Sequence, residues 1–164
     1  MSKNINGLPL CMMQLIENNE ALTGYDLTKL VVSNNAWVAN HQQVYRDLRR
    51  LEEMGFLSTT TVENIGKPDS KLYSITEAGE QQLEHVRQTQ QYKMKPFRSE
   101  SAAMQMAGGR NYLVSAAEKI SEKLDELKKR LGITRDPAEK LRIQFEIDTR
   151  NAELSFVENS RNIA

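Results

Sequence analysis

Apolar residues recur at helical spacing through the first third of the chain. Leu8, Met12, Leu15 and Ile16 form one stripe, and Pro9 suits a helix's first turn, so the pattern predicts a helix to about Asn18. Thr23 is a plausible N-cap for a second helix, with Leu27, Leu30 and Val31 facing inward until the Ser33-Asn34-Asn35 cluster stops it. Asn40 opens a third helix, and Gln43 three residues later completes a capping-box pattern. Val44, Leu48 and Leu51 share its apolar side, and Gly55 suits a left-handed C-cap. The pattern then changes. Phe56–Glu63 is a threonine-rich strand, residues 64–69 are turn chemistry, and Lys71–Ile75 is a returning strand. Thr76 caps a fourth helix to roughly Gln91. Three helices, a two-stranded β-hairpin and a trailing helix predict a mainly α winged helix-turn-helix over residues 1–92.

Residues 93–110 read as a linker with one short helix. Pro96 breaks the pattern, and Ser101–Ala107 is closed by Gly108-Gly109. Residues 111–164 then read as a helical dimerisation domain. Leu113, Ala117, Ile120, Leu124, Leu127 and Leu131 follow a heptad with mostly charged residues between them. Gly132 is expected to end this helix, and Asp136-Pro137 to start the last one, giving an antiparallel hairpin. The last helix has two apolar arcs. Ala138, Leu141, Phe145, Ala152 and Phe156 lie in one; Ile143, Ile147, Leu154 and Val157 lie nearly opposite. One face can pack on the preceding helix. A second copy of the chain is the simplest cover for the other, so a two-fold homodimer is expected. Asp148, on the edge of the first arc, is a candidate for a charge pair across that interface.

Composition narrows the classes. The 164 residues balance 22 basic against 22 acidic side chains, so any electrostatic footprint must be local. The one cysteine, Cys11, lies in an apolar run and reads as a small buried hydrophobe in a reducing compartment. No stretch approaches a membrane span and no long apolar leader is visible, so a cytoplasmic protein is expected, without a membrane partner. Enzymatic signals are weak. His41 and His85 lack metal-ligand spacing, no glycine-rich phosphate loop or nucleophile elbow is present, and neither cofactor nor metal is implied. Glu52-Glu53 reads as ordinary helix solvation.

The third helix carries the candidate chemistry. Opposite its apolar side stand Gln42, Arg46, Arg49 and Arg50, with Gln43 and Tyr45 on the flanks and Asn40 and His41 at its start. Glutamine can pair bidentately with adenine and arginine with guanine in the DNA major groove, and both can hold phosphates. Lys67 and Lys71 flank the hairpin turn, where they can reach phosphates or the minor groove. Trp37, between the second and third helices, reads as a core anchor or as one wall of an effector pocket. The competing reading is a protein-interaction module that uses a winged helix and coiled-coil-like helices without specific DNA binding.

Thr23-Gly24-Tyr25-Asp26-Leu27, His41-Gln42-Gln43-Val44-Tyr45-Arg46-Asp47-Leu48 and the run from Gly66 to Gly79 resemble the PadR family, nearest its AphA-like virulence-activator branch. The likeness is dense over residues 7–85; beyond residue 96 it is only architectural. It implies a dimeric winged-helix transcription regulator on a palindromic operator, nucleoid-associated when bound to double-stranded DNA. By that likeness the Gln42–Arg50 face enters the major groove, and Lys67 and Lys71 belong to the wing. Some members of the family are repressors released by phenolic acids or drugs, and the activator branch works beside a second regulator.

Overall fold

The computed structural model describes residues 5–66 and 68–163, and its contacts divide the chain into two compact units, one through Tyr92 and one from Lys93. The first contains α1 (Leu8–Asn18), β1 (Ala21–Thr23), α2 (Gly24–Ser33), α3 (His41–Glu53), β2 (Leu57–Val62), β3 (Ser70–Ile75) and α4 (Glu77–Thr89). The second contains α5 (Glu100–Met106), α6 (Arg110–Ile133) and α7 (Pro137–Ile163). No described helix is long and apolar enough to cross a membrane.

Local capping explains most boundaries of the first unit. The Thr23 hydroxyl accepts from the Asp26 amide at 3.1 Å and starts α2. At α3 the Asn40 side chain accepts from the Gln43 amide at 2.9 Å, and the Gln43 side chain accepts from the Asn40 amide at 3.0 Å, so the capping box is complete. Gly55 follows α3 with φ 77°, a conformation that side chains other than glycine's rarely adopt. Thr76 joins two elements: its hydroxyl accepts from the Gly79 amide at the start of α4 and donates to the Gly55 carbonyl at 2.7 Å.

The sheet has three strands in the order β1-β3-β2, all antiparallel, where sequence patterning predicts two. Ala21–Thr23 pairs with Leu72–Ser74 and completes the edge of β3. Three residues are too few for an alternation signal, so this strand exists because β3 offers it partners. In the β2–β3 hairpin, Leu57, Thr59 and Thr61 stand opposite Ile75, Tyr73 and Lys71, which puts these six on one face of the sheet. Met12, Met13 and Ile16 of α1 meet Leu27 and Val31 of α2, Val44, Leu48 and Leu51 of α3 and Leu83 of α4, all fully buried. Burying side chains of this size contributes about 1.5–3 kcal/mol each.

In the second unit α6 and α7 pack as a hairpin. Arg130 pairs with Glu139 at 2.6 Å beside the turn, and Leu113 shares a hollow with Ser160 and Ile163 at the far end, so the helices run antiparallel. Gly132 does not end α6. It lies inside the helix, which stops at Thr134 where the backbone becomes extended (ψ 134°). The Asp136 carboxylate then accepts from the Ala138 and Glu139 amides and caps α7. Leu113, Ala117, Ile120, Leu124 and Leu127 are buried within this unit against Ile143, Ile147 and Val157, with Leu131 and Leu154 packed on the cluster. Of the side chains expected to serve dimerisation, these ten therefore form the hairpin's own core. Leu141, Phe145 and Phe156 remain outside it, at 72%, 74% and 38% exposure. Asp148 accepts from Gln144 on its own helix at 2.8 Å.

Candidate nucleic-acid interface

Helix α3 divides its side chains among three directions. Val44, Leu48 and Leu51 lie in the core. Tyr45, Arg49 and Glu52, at i, i+4 and i+7, form a stripe along the flank that meets the sheet. Gln42, Gln43, Arg46 and Arg50 are exposed on the remaining surface. The helix has three arginines against Asp47, Glu52 and Glu53, so its total charge does not favour a polyanion. Placement does. Asp47 is 6% exposed, with Arg46 Nε at 3.7 Å from its carboxylate, and Glu52 turns toward the hairpin.

An open groove of about 1270 Å³ runs between α3, the first turn of α2 and the hairpin. Asn40, His41, Gln42, Gln43, Tyr45, Arg46, Arg49 and Lys71 all line it, so the fold gathers eight of the ten candidate DNA-contacting residues around one concavity. Arg50 lies on the other flank, over a hollow of about 240 Å³ that it shares with Arg46, Asn6 and Pro9. Lys67 lies outside the described residues. Trp37 is half-exposed, with its ring against Gly7: a Cβ there would meet Trp37 at 2.8 Å. It thus packs on the segment before α1.

Several groove residues escape sequence reasoning. Gly24 forms a seat for the Tyr45 ring, since a Cβ at residue 24 would lie 2.5 Å from it. The other side of Tyr45 meets the His41 ring, with centroids 4.3 Å apart. Tyr45 is therefore wedged between the start of α2 and the start of α3, with its hydroxyl toward Gly24. Tyr73 forms part of the floor from β3, and burial, followed by the nearby charge of Glu52, pushes its hydroxyl above the usual tyrosine range. It stays protonated, a hydrogen-bond donor, at neutral pH.

Glu52 corrects the expectation of plain helix solvation. Its carboxylate accepts from the Thr59 hydroxyl at 2.8 Å and lies 3.9 Å from Lys71 Nζ. The wing lysine is thus engaged by the third helix's own acid. No sequence signal separates Glu52 from Glu53; only the sheet register, which sets Thr59 and Lys71 on the face toward α3, does so.

A helical core with a β-hairpin beside an exposed polar helix defines a winged helix-turn-helix domain. Residues 12–85, a little under half of the chain, match the family described as the transcriptional regulator PadR-like family. A probable transcriptional regulator of Mycobacterium tuberculosis is 38% identical over 66 residues, covering 39% of this chain and 35% of that protein. The negative transcriptional regulator PadR of Bacillus subtilis is 32% identical over 78 residues, covering 46% and 42%. The match thus spans well under half the length of these curated relatives. The fold likeness extends further: Bacillus subtilis PadR in complex with operator DNA superposes with a TM-score of 0.81 at 20% identity, covering 99% of both chains.

Proposed function

We propose that the protein is a sequence-specific DNA-binding transcriptional regulator that acts as a homodimer on a palindromic operator. The observation that carries this reading is the groove beside α3, in which Gln42, Gln43, Arg46 and Arg49 line one wall while Asp47 is buried and Glu52 is turned to the wing. In this reading α3 enters the major groove, and its amides and guanidiniums meet base edges and phosphates. The hairpin, with Lys71, lies along the backbone or in the minor groove. The reading carries with it a cytoplasmic location, in the compartment of the chromosome.

The exposed apolar arc of α7 supports the dimer. Leu141 and Phe145 are each about three-quarters exposed, and a two-fold axis lets one such patch cover its equivalent. Two copies present two α3 helices to successive major grooves, about 34 Å apart.

The test is a mobility shift and footprint on DNA upstream of the protein's own coding sequence, with random DNA as competitor. The expected result is retention under competitor and two protected grooves one helical turn apart. Retardation no stronger than on random DNA at any genomic fragment overturns the reading in favour of a protein-interaction module. A promoter–reporter assay with and without the protein then distinguishes a repressor from an activator of the AphA-like kind.

A further inference from the structure

We infer that Glu52 is a specificity-setting counter-charge that tethers the wing lysine Lys71 against α3 and so weakens its pull on phosphates that are not presented in register. This rests on the DNA-binding reading above and adds a residue that does not itself face the DNA.

The geometry has three parts. Glu52 is in the last turn of α3, with its side chain about one-third exposed. Thr59 of β2 donates to it at 2.8 Å, which fixes the carboxylate against the base of the wing. Lys71 of β3 stands on the same sheet face, its ammonium 3.9 Å from that carboxylate and 59% exposed. A lysine so placed is tethered but open to solvent, and an exposed pair of this kind is weak, about 0–1 kcal/mol. A phosphate oxygen can therefore outcompete Glu52 when it arrives at the ammonium.

The consequence is a difference between two kinds of complex. Random-sequence DNA is held chiefly by phosphate contacts, and each lysine that releases a counterion adds affinity for every sequence. Lys71 held by Glu52 contributes less of this indiscriminate attraction. On an operator, α3 is seated by its base contacts, and the wing phosphate is presented in register. Lys71 can then leave Glu52 for it. Glu52 thereby lowers random binding more than operator binding.

Glu52→Gln separates this role from plain support, because the amide oxygen still accepts from Thr59 while the charge is gone. Fluorescence anisotropy is measured on a short duplex of random sequence and on a duplex selected from a random library by the wild-type protein, across a salt series. Expected for Glu52→Gln is tighter binding to random DNA by about two- to fivefold. The salt slope on random DNA should steepen by up to about one, and the selected-to-random ratio should fall. In a Lys71→Ala background the same substitution should change nothing. Thermal melting checks that Glu52→Gln leaves the fold intact.

Unchanged affinity and slope in Glu52→Gln, with the wild type binding DNA normally, overturns the inference and leaves the proposed function standing. An equal gain in the Lys71→Ala background also overturns it, since Glu52 would then act as a general negative charge. A wild type that binds neither duplex overturns the DNA reading itself, and with it this inference. For a variant that melts early, Thr59→Val serves instead: it removes the donor that fixes the Glu52 carboxylate, so tighter binding to random DNA is expected, and unchanged affinity counts against the tether.

Discussion

Helices α3 and α7 solve the same packing problem with opposite outer faces. Each buries one apolar stripe: Val44, Leu48 and Leu51 in α3, and Ile143, Ile147 and Val157 in α7. Outside that stripe α3 is polar and arginine-bearing, whereas α7 offers Leu141, Phe145 and Phe156. A helix surface left polar is stable in water without a partner. A stripe of exposed leucine and phenylalanine is not explained by the packing of its own chain and marks a surface for association. Under the proposed function, recognition of DNA falls to α3 and pairing of copies to α7.

The largest effect is expected where α7's two faces are set against each other. Ile147→Asp places an unpaired charge in the hairpin core, and loss of the second unit's cooperative melting is expected, at more than about 4 kcal/mol. Far-ultraviolet circular dichroism reads this directly. The double change Leu141→Ser and Phe145→Ser, on the outer face, should instead leave helicity intact and turn a dimer into a monomer by light scattering. Equal outcomes for the two variants would erase the distinction between inner and outer faces.

A smaller effect is expected at the Tyr45 seat. Gly24→Ala puts a Cβ 2.5 Å from the Tyr45 ring, so the ring must shift, which costs about 1–3 kcal/mol in denaturant unfolding. Because Tyr45 and His41 lie at the head of α3, this variant should also weaken operator binding. The smallest effect concerns pH. Tyr73's hydroxyl is pushed up by burial and by Glu52, so the folded state holds its proton more tightly than the unfolded chain does. Its contribution is therefore fully present below about pH 10, the unfolded value, and is lost as pH rises through the higher folded value. Ultraviolet titration should show one tyrosine ionising late, and Tyr73→Phe should remove it.

Much of the fold was legible in the sequence because its signals are local. Thr23, Asn40, Thr76, Ser99 and Asp136 each cap the following helix through their own side chains, and the first three and the last were readable from residue type and spacing. What was not legible depends on distant partners. Strand β1 is created by the free edge of β3. Gly132 stays helical although glycine commonly closes helices, because the chain turns only at Thr134. The two arcs of α7 were visible as periodicity, but which one faces α6 is decided by packing. In the candidate site, the outward residues of α3 followed from helical spacing, whereas Gly24, Tyr73 and Glu52 depend on how α2 and the hairpin meet α3.

The most direct measurement compares wild type with the Arg46→Ala, Arg49→Ala double variant on selected and random duplexes at moderate salt. Each base-reading arginine should contribute about 1–3 kcal/mol of discrimination, so the double variant should lose most of its preference for the selected duplex while keeping part of its random binding. Equal binding of the selected duplex by both proteins would contradict the assignment of α3's outer face to DNA.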